Sequence, residues 1–301
     1  MNKTTLKKYA KLIVRIGANV QKGQEVIVSS SVENAYFVKY VVEEAYKAKA
    51  KSVHVEWSCQ DITKLGFIYQ SEKTLCELPQ WQIKKQEHQV DTLPAMIHIM
   101  SDDPDGLKGI DQSKVVARQR AIGPIMMKYR EQMDNKYQWT IVGIPGEKWA
   151  KKIFPNLSKN KAIDALWDAI LKVTRVNGDP IKNWQEHNQN LTTKSNKLND
   201  LHIKTLTYKS SNGTDFTIGL KECMRFEAGG AYTLFGVYYN PNMPTEECFT
   251  SPDRTTCNGI VMATKPLSVR GVLVENFGFK FESGKVVEVI AQNEEHKSVL
   301  E

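Results

Sequence analysis

Gln24-Glu25-Val26-Ile27-Val28-Ser29 is the stretch whose reading decides the fold. It is a short β-branched run opened by Gly23, with the length and composition of a strand. Upstream, Leu6, Ala10, Ile13 and Gly17 recur at helical spacing and predict a helix near residues 3–17. Downstream, Ser31 precedes a helical stretch through Ala50, with Tyr36, Val38, Val41, Val42 and Ala45 as its apolar stripe. The same alternation then repeats. Residues 53–57 read as a strand and 59–92 as several helices, one opened by Pro79. Residues 95–100 form another apolar strand, and the turn cluster SDDPDG follows at 101–106. A long helix at 111–133 leads to a strand at 139–144 closed by Pro145-Gly146, and helices follow near 147–152 and 159–175. Strands alternating with helices of this length imply a parallel sheet with helices packed on its faces.

The pattern changes at Asn177-Gly178-Asp179-Pro180. A polar helix at about 181–198 carries the chain away, and strand signals dominate from Leu201 onward. They fall at 201–208, 214–220, 246–250, 258–264, 270–275 and 285–290, with turns at Asn212-Gly213 and Ser283-Gly284. The predicted fold class is therefore α/β, with an N-terminal parallel-sheet α/β domain at 1–185 and a β-rich domain at 186–301. Residues 293–301 read as a helix that has barely started, without a C-terminal stop. A loose terminus accounts for this, and so does an incomplete second domain.

Bulk composition narrows the function classes. The 301 residues are 41% hydrophobic and 25% charged, as in an ordinary globular protein. The net charge of +7 raises the question of an acidic partner. The lysines are scattered over the polar faces of predicted helices, however, and no aromatic–basic motif or zinc finger accompanies them, so no nucleic acid is expected. The five cysteines are odd in number and contain no CxxC, which fits a reducing compartment and excludes a cysteine-rich zinc site. The basic N-terminus lacks a long apolar core and a cleavage pattern, and no run is long enough to cross a bilayer. A cytoplasmic protein without a membrane partner is expected.

Several chemical signatures are missing. The sequence has no GxxxxGK[ST], HExxH, GxSxG or GxGxxG. The informative segment is 238–253, YYNPNMPTEECFTSPD. Residues 240–244 are turn-like and 245–250 favour an extended strand. Neighbouring side chains on a strand face opposite sides, so only one of Glu246 and Glu247 can enter a given pocket. A carboxylate held between two prolines is placed to bind a metal rigidly; an ordinary solvated Glu pair fits the same composition. Gly229-Gly230 upstream permits either a tight turn or a close backbone approach beside a pocket.

The segment NMPTEECFTSPD, with ATKPL at 263–267, resembles the signature of the thermophilic metallo-aminopeptidase family, the aminopeptidase T, S and II type. YAKLIVRIGANVQKG at 9–23, ENAYFVKYVVEEAYKAKA at 33–50 and SDDPDGLKGID at 101–111 resemble the family's N-terminal domain in order. AGG at 228–230 and the Gly284-Lys285-Val286 strand resemble the start of its C-terminal catalytic domain. The resemblance spans essentially the whole chain. It implies release of N-terminal residues from peptide substrates, two divalent metal ions (zinc, cobalt or similar) and a homodimer. It makes Glu247 the metal ligand, with Glu246 as fallback. Cys248 stands where the family usually has valine. The resemblance also implies that the other ligands and the catalytic base lie beyond residue 301, so that the second domain is incomplete and truncated. The inventory agrees, since His296 is the only histidine after Glu247. The alternative is a non-catalytic truncated module that dimerises or binds peptides.

Overall fold

A computed structural model describes residues 1–269 and 272–301. The chain opens with α1 (Lys3–Leu12), β1 (Glu25–Ser31), α2 (Ala35–Lys47), β2 (Ser52–Ser58), α3 (Gln60–Tyr69), α4 (Glu72–Cys76) and α5 (Gln80–Thr92). It continues through β3 (Ala95–Met100), α6 (Gln112–Met133), β4 (Trp139–Gly143), α7 (Glu147–Ile153), α8 (Lys159–Val173) and α9 (Pro180–Asp200). After α9 come β5 (Thr205–Lys209), β6 (Asp215–Gly219), β7 (Ala231–Tyr232), β8 (Tyr238–Tyr239) and β9 (Asn242–Met243). The last elements are β10 (Asn258–Met262), β11 (Leu267–Val269), β12 (Val272–Val274), β13 (Gly278–Glu282), β14 (Lys285–Ile290) and α10 (Glu294–Leu300).

The chain divides into two compact units. One holds 1–106, 110–188 and 229–246; the other holds 107–109, 189–228 and 247–301.

The first unit is built on the parallel sheet β2-β1-β3-β4-β9. Along β1 the buried side chains alternate, so Val26 and Val28 enter the core while Glu25 and Ile27 face the other way. α1 starts where Asn2 caps it, its Oδ1 accepting the Thr5 N–H at 2.8 Å. Its apolar stripe of Leu6, Tyr9, Ala10 and Leu12 is buried. Tyr9, Phe37 and Trp167 form an aromatic cluster with centroids 5.6–6.2 Å apart. Tyr9 also donates its hydroxyl to the Gly143 carbonyl at 3.0 Å, so the ring's polar end is satisfied in the core. The helix expected near 3–17 finishes as a π-helical turn, Ile13–Gly17. The Val20 N–H reaches back to the Val14 carbonyl at 3.0 Å.

The second unit contains the antiparallel sheet β14-β13-β10-β6-β5 and the short pair β11-β12. Two expectations are corrected here and a third is met in part. The strand expected at 201–208 starts only at Thr205, because α9 runs to Asp200 and His202 turns the chain with φ +47. Of the strand expected at 270–275, β12 takes up 272–274 and residues 270 and 271 lie outside the described residues, while its partner β11 at 267–269 was not expected. The strand expected at 246–250 is absent as a regular element: only Phe249 bridges, to Glu227. Pro244 has no N–H to give and the Thr245 carbonyl is taken by the His187 side chain, so β9 ends there and is not continued into 246–250.

Candidate metal-binding segment and its surroundings

The segment singled out in the sequence is fixed to the first unit residue by residue. Asn240 is fully buried; its backbone N–H donates to the Gly17 carbonyl at 2.9 Å. Its side-chain amide exchanges two hydrogen bonds with that of Asn188, at 2.9 and 3.0 Å. Asn242 and Met243 then extend the parallel sheet beside Ile141 and Val142. Met243 is buried against Gly17, where an added Cβ would stand 2.8 Å from its sulfur. Gly17 is thus the residue that lets the π-helical turn lie against the sheet.

Beyond Pro244 the anchoring changes from backbone to side chain. His187 donates from Nε2 to the Thr245 carbonyl at 2.7 Å and lies edge-on to the buried Trp184. The glycine pair has a packing role: a Cβ on Gly229 would stand 2.2 Å from the Thr245 methyl, and one on Gly230 would collide with the Tyr238 hydroxyl. Arg175 donates to Glu246 Oε1 at 2.6 Å, and His187 Nε2 lies 3.9 Å from its other oxygen.

Glu247 follows directly and begins the last stretch of the second unit. It is exposed, and no hydrogen bond or ion pair holds its carboxylate among the described residues. On its C-terminal side Cys248 donates weakly to the Leu191 carbonyl at 3.5 Å, which gives this cysteine a packing role. Phe249 and Glu227 exchange backbone bonds of 2.8 and 3.0 Å. The two glutamates are therefore unlike. Glu246 is neutralised by an arginine, whereas Glu247 is an uncommitted carboxylate on a segment pinned at both ends.

The first unit also has a polar crevice of about 230 Å³ beyond the C-terminal ends of β1, β3 and β4. Sequence order reverses between β1 and β3, the position at which open α/β sheets form crevices. Asn34 is buried at its floor and donates to Ser30 and Ser101 at 3.0 and 2.7 Å. Lys148 lies 3.7 and 3.4 Å from Asp61 and Asp103. Asp102 is held above the usual carboxylate range by burial and by the nearby Glu33 charge. The sequence shows Asp102 and Asp103 as part of a turn cluster and gives no sign that Asp61 and Glu33 stand beside them.

The histidines lie on different elements. His54 and His98 lie on β2 and β3, His88 on α5 and His187 on α9. Among the described residues no three His, Cys, Asp or Glu side chains converge to hold a metal ion.

One unit on a parallel sheet with helices and one on an antiparallel sheet, with a proline-flanked acidic segment in the chain between β9 and β10, define the class. A sequence profile described as thermophilic metalloprotease (M29) matches residues 2–300, and the chain belongs to that family. Aminopeptidase AmpS of Bacillus subtilis is 40% identical over 292 residues, covering 96% of this chain and 71% of the relative. Aminopeptidase PepS of Streptococcus thermophilus is 36% identical over 97% of this chain and 71% of its own length. The solved structure of wild-type AmpT from Thermus thermophilus superposes with a TM-score of 0.89 at 34% identity, covering 98% of this chain and 73% of that one. The family and fold named from the sequence signature are the ones found. A metalloprotease family implies a divalent metal. The described residues offer one free carboxylate at the expected position and no converging ligand set, so they do not by themselves fit such an ion. No helix among the described residues is long and apolar enough to cross a membrane.

Proposed function

We propose that this chain is the larger part of a metal-dependent aminopeptidase that releases N-terminal residues from peptides. The observation that carries the reading is the family match over residues 2–300, joined by relatives that are themselves named aminopeptidases. In this reading residues 1–185 are the N-terminal α/β domain, and residues 186–301 begin the catalytic domain. Glu247 supplies one carboxylate to a pair of divalent ions, zinc or cobalt or similar. Its lack of any protein cation supports that assignment over Glu246, whose charge Arg175 already satisfies. Oxygen donors of this kind suit hard or borderline cations. The other ligands and the catalytic base come from polypeptide outside these 301 residues. A homodimer in the cytoplasm completes the proposal.

The test joins this chain to the part of AmpS that it does not match. Hydrolysis of leucine-p-nitroanilide is then measured with added cobalt or zinc. The extended chain is expected to turn over and the 301-residue chain is not. Glu247→Ala in the extended chain should lower kcat/KM by at least a hundredfold and weaken metal binding, while Glu246→Ala should leave both within a few-fold. A folded extended chain without turnover sinks the reading. Turnover indifferent to Glu247→Ala moves the ligand elsewhere.

A further inference from the structure

A helix on a sheet ordinarily buries an apolar stripe. The one residue that α5 buries fully is instead Gln89, 6% exposed. Among the described residues no hydrogen bond or ion pair engages its side-chain amide. Amides buried this deeply are as a rule hydrogen-bonded, so an unpaired one needs an explanation. It lies in a cavity of about 480 Å³ between α5 and the strands β1 and β2, which Gln89 lines. That volume falls within the span of small-molecule sites, roughly 300–1,000 Å³. Two polar bridges cross from helix to sheet beside it. His88 Nε2 meets Glu25 Oε2 at 3.0 Å at the start of β1, and Lys85 Nζ meets Glu56 Oε1 at 2.7 Å towards the end of β2. Lys51 and His88 hold the Glu25 carboxyl below the usual carboxylate range. Ile27, on the same face of β1 as Glu25, stands opposite His54 in the parallel pair. Ile27 is half-buried, and His54 is exposed at the edge of the cavity without a hydrogen bond or ion pair among the described residues.

The groups already engaged say what the cavity does not take. Its carboxylates are matched to Lys51, His88 and Lys85, so a charged ligand would have to displace a protein partner. The groups left free are the Gln89 amide, an N–H donor beside a carbonyl acceptor, and the His54 ring. A glutamine amide makes two-point contact with a planar edge that carries an acceptor beside a donor, as it does with the amino and ring-nitrogen edge of adenine. The apolar Ile27 and the flat His54 ring suit the faces of such a molecule. We propose that the cavity under α5 binds a small uncharged planar molecule whose edge carries a hydrogen-bond donor beside an acceptor, and that Gln89 reads that edge. A purine base and an aromatic carboxamide share this chemistry. The site lies wholly within the first unit and owes nothing to the peptidase reading or to a metal.

Calorimetric titration of the 301-residue chain with adenosine and with nicotinamide tests the site and separates the two sources. Saturable binding of at least one is expected. Purine riboside lacks the exocyclic amino donor, and nicotinic acid has a carboxylate in place of the amide. Each should bind at least tenfold more weakly than its parent, because a site built to pair an N–H rejects the analogue without it. Gln89→Leu should weaken binding of the parent at least tenfold. It breaks no hydrogen bond inside the protein, so its urea midpoint should equal or exceed that of the wild type. Ile27→Trp, which fills the cavity from the sheet side, should abolish binding. Lys84→Ala, at an exposed position paired with Glu87, should not. Selectivity between parent and analogue is read on the wild-type chain, so a variant that misfolds leaves the test intact. No saturable binding of either parent at millimolar concentration overturns the proposal. Equal binding of parent and analogue, or binding indifferent to both Gln89→Leu and Ile27→Trp, overturns it as well. So does a lowered urea midpoint in Gln89→Leu, which would make the amide a structural one.

Discussion

His98 points from β3 away from the core side of the sheet, and burial holds its pKa below the ordinary value of 6.5. The Glu56 charge opposes that shift and the Arg130 charge adds to it. A depressed folded-state pKa means that the unfolded chain takes up the proton first. The stability contribution is complete above the unfolded value and is lost as pH falls from there through the depressed folded value. The urea midpoint should therefore decline below about pH 6.5, and His98→Gln should flatten the decline. A variant with an unchanged pH slope would show that another group controls it. At this scale the sequence was informative about residue type and silent about partners. The strand argument says that Glu246 and Glu247 face differently. It cannot say that Arg175, 71 positions upstream, occupies Glu246. That pairing depends on the turn after α8, where Arg175 adopts φ +58.

Among the elements, the parallel strands were legible because their β-branched runs are short and bounded by glycine, proline or polar turns. The two-residue β9 was not. Its bonding to β4 comes from tertiary placement, with the Ile141 N–H donating to the Pro241 carbonyl at 2.8 Å, and no periodicity can show in so short an element. The π-helical turn was equally hidden, since Leu6, Ala10, Ile13 and Gly17 satisfy ordinary helical spacing. Its consequence can be measured. In Gly17→Ala the new methyl meets the Met243 sulfur at 2.8 Å and the Thr140 hydroxyl at 2.9 Å. Overpacking at such a site costs about 1–3 kcal/mol. Chemical denaturation should show a loss of that size, and a stability unchanged from wild type would mean that β9 yields freely.

At the level of the whole molecule, the fold class came through because alternation of strand and helix is a long-range pattern with few solutions. The return of residues 229–246 to the first unit did not, because those residues follow β5 and β6 in sequence. This interleaving makes a prediction about where damage is felt. Met243→Ala removes a buried side chain, at a cost of about 2–5 kcal/mol. Hydrogen exchange should accelerate in β3 and β4, a hundred residues or more upstream, while β6 and β10, its nearer neighbours in sequence, keep their protection. Acceleration confined to β6 and β10 would contradict the division into units.

The same threading sets an order on the ribosome. Nascent chains emerge at about 5–20 residues per second. The sheet of the first unit has its β1–β4 strands by Gly143, yet its fifth strand emerges roughly a hundred residues later. For about 5–20 s the β4 edge waits unpaired beside the exit tunnel. An exposed strand edge invites pairing with another chain. Slowing translation between residues 143 and 243 should therefore raise misfolding of a unit whose own core was already in hand.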